Sequence, residues 1–223
     1  MNRAINILLL VFSMPAMAFT IFVAFDLPID FLNTSAGLLE YRDKVFLVLA
    51  LLLILLVIRR SVSRWVGVSM TRKPERFIWC ATIGKERKKQ VRLFLILEAV
   101  VAFTFAGVSY ELTQEAWPIA GAYSLFFLDQ IIFMLVAPAW FRVGVTQKAV
   151  VVADREVKVL YFSGLRRIEV HQQTLYFEYI EDLQLFFPIN CIAEGDYTNF
   201  RNAVESRVNR DKVYFSEKFK DLK

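Results

Sequence analysis

The chain has 223 residues, 57% of them hydrophobic, with 21 Phe and a formal net charge of +5. That apolar share exceeds the roughly 45–50% of soluble domains and is gathered in blocks, which points to membrane spans and away from one large soluble core. Two isolated cysteines, Cys80 and Cys191, and one histidine, His171, exclude a disulfide framework and a zinc site. The sequence also lacks a glycine-rich phosphate loop and a Ser or Cys nucleophile beside a His. No catalytic residue, metal or cofactor is therefore expected.

Ile5–Phe25 is the first apolar run, preceded by Arg3 and interrupted by Pro15. At about 20 residues it can cross a hydrocarbon core of about 30 Å. Ala16-Met17-Ala18 also reads as a signal cleavage site, so residues 1–18 are either a cleaved signal or part of an uncleaved helix. A short acidic connection, Asp26–Lys44, precedes a second run at Val45–Ile58. That run is short for a span, so the helix is expected to start near Leu38 or to run on past Arg59 and Arg60.

Eleven Lys or Arg residues fall in Arg59–Arg92, opposed only by Glu75 and Glu86. Positive charge concentrated in one connection marks it as cytoplasmic and makes a nucleic-acid-binding role unnecessary. Its Arg59, Arg60, Arg64, Lys85, Arg87, Lys88, Lys89 and Arg92 are expected to set topology and to meet lipid headgroups. Trp65 and Trp79, and Trp117 and Trp140 around the fourth span, are expected at the membrane–water interfaces, with Phe77-Ile78-Trp79 as a patch pressed on the leaflet.

Val91–Tyr110 and Ile119–Phe141 form an antiparallel hairpin of spans joined by the acidic turn Glu111–Pro118. Carboxylates inside spans are costly and usually face a bundle interior. Counting from Arg92 and Arg142 at about 1.5 Å per residue puts Glu98 about 9 Å deep, Thr104 about 18 Å and Asp129 about 20 Å. Asp129 is expected to bond Thr104 in a polar knot with Gln130 and Tyr123, with no basic partner beside either acid.

From Val143 the pattern changes. Ala149–Val152, Val157–Phe162, Arg167–Gln172, Leu175–Tyr179 and Leu183–Phe187 are short β-branched and aromatic stretches, several alternating at a period of two. Asp196 then caps a helix with the apolar stripe Phe200, Ala203, Val204 and Val208. Twelve basic and twelve acidic residues balance across Val143–Lys223, which suits protein contact better than docking on anionic lipid.

Strands followed by one closing helix, over roughly residues 143–209, resemble the pleckstrin-homology-like (PH-like) domains that follow transmembrane helices in bacterial membrane proteins. The resemblance rests on Val145–Val152, the hairpin Asp154–Phe162, Leu165–Val170, and Leu183–Pro188 followed by Tyr197–Val208. The stretch is short for a full domain of that kind by one or two strands, which are either missing or drawn from the exit of the fourth span. The resemblance implies a binding or assembly role.

The resulting expectation is a four-span helical domain over 1–142 with a basic loop at 59–92, a β module at 143–209, and a charged tail at 210–223 whose Val213-Tyr214-Phe215 and Phe219 are the residues able to dock. The expected location is a bacterial inner membrane with both termini cytoplasmic. The expected role is a non-enzymatic adaptor or regulator touching membrane lipids, a cytoplasmic protein partner and its own basic loop, where Glu178, Glu181 and Asp182 would dock on Lys85–Lys89. A homo-oligomer is possible in this scheme. The alternatives are proton or cation conductance by an oligomer through Asp129 and Glu98, and immunity to an envelope-directed toxin.

Overall fold

The structure, a computed structural model, describes residues 2–30, 33–180, 183–209 and 212–222. Four helices in it are long and apolar enough to cross a membrane. They are α1 (Asn2–Ala24), α2 (Arg42–Met70), α3 (Lys85–Leu112) and α4 (Trp117–Val136). A β-rich region with two sheets and a closing helix follows. The chain divides into two compact units, Met1–Ser63 with Phe94–Leu135, and Arg64–Leu93 with Val136–Lys223. Arg64–Leu93, most of the basic segment, falls in the same unit as the C-terminal strands.

In the first unit the helices meet through small side chains. Ala16, Ala50, Ala106, Ala116 and Ala122 are buried, with Ile119, Leu53 and Phe46 filling the wider gaps. Small residues let helix backbones approach closely, which matters where apolar surroundings remove the hydrophobic drive for association. Leu10, Met14, Leu51, Leu55, Val101 and Leu128 point outward and are exposed. Pro15 is accommodated within α1. The connection after α1 carries a small antiparallel pair, β1 (Pro28–Ile29) with β2 (Thr34–Ser35). The turn between α3 and α4 is a single 3₁₀ turn, Gln114–Ala116. Pro118 falls in the first turn of α4, where its missing N–H removes no helical bond.

The basic segment is far from a loop. α2 runs on through Arg59, Arg60 and Arg64 to Met70, so its 29 residues exceed the second apolar run at both ends. A 3₁₀ turn at Pro74–Arg76 and a strand, β3 (Trp79–Thr82), follow before α3 begins at Lys85.

β3 is the first strand of a sheet completed more than sixty residues later in the chain. It pairs antiparallel with β4 (Arg142–Val145), in the register Trp79↔Val145 to Thr82↔Arg142. β5 (Ala149–Ala153) and β6 (Val157–Tyr161) continue the sheet in the order β3-β4-β5-β6. Gly144 is needed here, since a Cβ would collide with the Phe77 ring; at Gly67 of α2 a Cβ would collide with Val157. β7 (Leu165–His171), β8 (Thr174–Tyr179) and β9 (Gln184–Pro188) form the second sheet. The two-residue turn Gln172-Gln173 has positive φ at both positions, 43° and 60°.

α5 (Tyr197–Glu205) closes the unit, burying Phe200, Ala203 and Val204. Asp196 holds the N-cap position without a side-chain cap bond. The segment expected as a charged tail docks. β10 (Tyr214–Phe215) lies parallel to β7, Ser216 caps α6 (Glu217–Lys220), and Phe219 is fully buried.

Candidate functional site

Two polar arrangements stand out, one in each unit. In the first unit the Arg60 guanidinium donates to Glu98 Oε2 at 2.7 Å, and its charged end lies 5.1 Å over the Phe126 ring. The expectation that Glu98 has no basic partner is therefore corrected. The neighbouring Ser61 hydroxyl donates to Asp129 Oδ1 at 2.6 Å. Thr104 is exposed on α3, and the hydroxyl that reaches Asp129 Oδ1 is that of Ser61. The helical setting, which depth alone does not give, decides this. Gln130 is buried. Because Ser61 directly follows Arg59 and Arg60, Asp129 lies level with the basic end of α2 rather than midway along it.

A second ion pair, Arg42 Nη2 to Glu115 Oε1 at 2.5 Å, joins the start of α2 to the α3–α4 turn. The helical rise puts Arg42 and Arg60 about 27 Å apart along α2. Each end of the apolar stretch is thus closed by an Arg–Glu pair. Between them the four helices leave a cavity of about 360 Å³, lined mostly by apolar side chains, with Arg60 and Glu98 in its wall.

In the second unit the polar centre is Asp154, 5% exposed at the β5–β6 turn. Its Oδ2 accepts from Arg87 Nε at 2.9 Å and Nη2 at 2.5 Å, and Oδ1 accepts from the Glu156 N–H at 3.1 Å. Lys158 donates to the Phe186 carbonyl oxygen at 2.9 Å, and burial pushes its ammonium below the usual lysine range. Cys191 is buried nearby, and burial pushes its thiol up to about 12. At neutral pH it stays protonated, unsuited to attack as a thiolate.

An aromatic row runs through this unit. Trp79 of β3 meets Phe200 of α5 at 5.6 Å, Phe200 meets Phe187 of β9 at 6.2 Å, and Phe187 stacks on Phe177 of β8 at 5.9 Å. Trp79 and Cys80 thus belong to a sheet, which differs from an interfacial patch; the pairing of β3 with β4 supplies the reason.

Trp65 meets Trp140 edge to face at 6.4 Å, and Arg72 stacks over the same Trp140 ring. Trp117 is exposed. Of the other basic residues, Arg59, Lys85, Lys89 and Arg92 are exposed, Lys88 is half-buried, and Arg64 is fully buried. The expected acidic strip does not supply Arg87's partner. Glu178 lies 4.0 Å from Arg167, while Glu181 and Asp182 lie outside the described residues. His171 is exposed on β7. Among the described residues no group of three or more His, Cys, Asp or Glu could hold a metal.

Sequence reasoning missed Ser61 and Asp154 as partners. The Asp-x-Glu spacing at 154–156 was a usable signal, since such a carboxylate can cap its own turn. No family model, curated protein or solved structure matches the chain.

Proposed function

We propose that this chain is a multi-pass protein of a bacterial inner membrane, with a PH-like module on the cytoplasmic face acting as a non-enzymatic adaptor or regulator. The observation that carries the reading is the pairing of β3 with β4. These strands are separated in the chain by α3 and α4. If both helices cross the bilayer, the chain returns to the side it left and the strands can meet; if one crossed alone, they could not. The eleven basic residues of Arg59–Arg92 support a cytoplasmic location for that side. Apolar residues exposed along all four helices support a lipid environment.

The PH-like reading gains support from the strand that the C-terminal stretch lacked. β4 comes from the exit of the fourth helix, and β3 from the α2–α3 connection. With them, two sheets are closed by α5. A partner bound on this module therefore acts on the ends of α2 and α3 through backbone hydrogen bonds and the Arg87–Asp154 pair, which is the coupling a regulator needs. Conductance through Asp129 and Glu98 has less support, because Ser61 and Arg60 engage those carboxylates.

The test is photocrosslinking in native membranes from exposed module positions Tyr161, Ile180 and Leu183. The adaptor reading expects discrete protein adducts there and none from exposed α1 positions such as Ile7. Proton or cation flux by the purified chain in liposomes, lost on Asp129→Asn, would replace it with transport.

A further inference from the structure

The cavity of the first unit combines features that select a ligand. Its volume of about 360 Å³ falls in the range of small-molecule sites. Phe105 and Phe126 give it aromatic walls. Tyr123 also lines it and is 4% exposed, and among the described residues its hydroxyl meets no partner at full hydrogen-bond geometry. Ser13, which also lines the cavity, is the polar group beside it. A buried hydroxyl donor left unpaired is costly, and an acceptor from a ligand would relieve that cost.

The charges narrow the ligand further. Arg60 is neutralised by Glu98, so the wall offers no net charge to a carboxylate or phosphate. Tyr123 is about 9 Å along α4 from Trp117 by helical rise, a depth at which a phospholipid presents only methylenes. Leu10 and Val101, both lining residues, are exposed on the outside of the helices, leaving a lateral way out for a tail.

We infer that this cleft binds an uncharged, membrane-dissolved molecule with a carbonyl acceptor on a flat apolar ring, of the isoprenoid-quinone type. The ring lies between Phe105 and Phe126, its carbonyl accepts from Tyr123 Oη, and its tail leaves past Leu10. The inference rests on the bilayer reading and is independent of any adaptor role.

The experiment is equilibrium binding of decylubiquinone to the full-length chain in nanodiscs of zwitterionic phospholipid. Wild type binds saturably. Tyr123→Phe weakens binding about tenfold through the lost hydrogen bond, with thermal stability equal or higher because an unpaired hydroxyl has gone. Ala122→Leu, which fills the cleft, removes binding. Decane and decanoate bind far more weakly than the quinone. Absence of saturable binding by wild type, equal affinity in Tyr123→Phe, or decanoate bound as tightly as the quinone would each overturn the inference.

Discussion

The two units hold themselves together by opposite means. The first uses elements similar in kind, helices with alanines at their contacts and one Arg–Glu pair at each end of the apolar stretch of α2. The second joins elements of different kinds: β3 pairs with β4, Trp79 of β3 meets Phe200 of α5, and Arg87 of α3 meets Asp154 of a strand turn. A helix satisfies its backbone alone, so a span needs only side-chain fit, whereas a sheet edge must be completed by another segment. The α2–α3 connection supplies that segment.

The largest effect separating the two modes is expected from the aromatic row. Phe200→Ala should destabilise the second unit by about 4 kcal/mol and Trp79→Ala by nearly as much, as for other large core truncations. Thermal unfolding in detergent, followed by proteolysis of the β region, measures both. A Trp79→Ala variant as stable as wild type would make Trp79 a peripheral ring and dissolve the contrast.

The ion pairs come next. Arg87→Met leaves Asp154 buried without its cation and should cost about 3 kcal/mol, while Arg87→Met with Asp154→Leu should recover most of it. Arg42–Glu115 has both side chains one-third exposed, and its coupling in a double-mutant cycle should be under about 1 kcal/mol. Equal couplings for the two pairs would contradict the difference drawn between the units.

A pH titration reads the buried thiol of the second unit. Cys191 is pushed up to about 12 from an ordinary value of 9.0, chiefly by burial. The unfolded chain therefore gives up this proton first, and the stability it confers is whole below pH 9 and lost as pH climbs towards 12. At pH 10 the loss should be about 1 kcal/mol. Lys158, held low by burial, acts in the opposite sense, so comparison with Cys191→Ala isolates the thiol. That variant should show a shallower decline above pH 9.

The smallest effect is local. Gln172-Gln173 occupies a two-residue hairpin turn with both φ positive, a geometry that favours Asn-Gly. Gln172→Asn with Gln173→Gly should stabilise the unit by about 1 kcal/mol, seen as a raised unfolding temperature with the helical unit unchanged.

What the sequence disclosed follows the same divide. A run of about 20 apolar residues has few stable outcomes, so the four long helices were legible from length alone. β6 to β9 were legible because alternation at a period of two is a local signal. Trp79–Thr82 was not, since four residues inside a charged segment carry no alternation, and their partner lies beyond two helices. Ser61 and Asp129 were opaque for a related reason: depth along a helix says little about which way each side chain faces. Asp154 opens a turn of mixed charge, Asp154-Arg155-Glu156, that carries no local sign of a distant partner, yet Arg87 reaches it from the start of α3.

The most direct measurement is a disulfide between β3 and β4. Ala81 and Val143 face each other in register. The full-length chain carrying Ala81→Cys, Val143→Cys and Cys80→Ser should cross-link in native membranes on mild oxidation. A control with Ala81→Cys, Val150→Cys and Cys80→Ser should not. Failure of the in-register pair to close, with the cysteine at 81 freely labelled by a water-soluble maleimide, would contradict a module built in part from the α2–α3 connection.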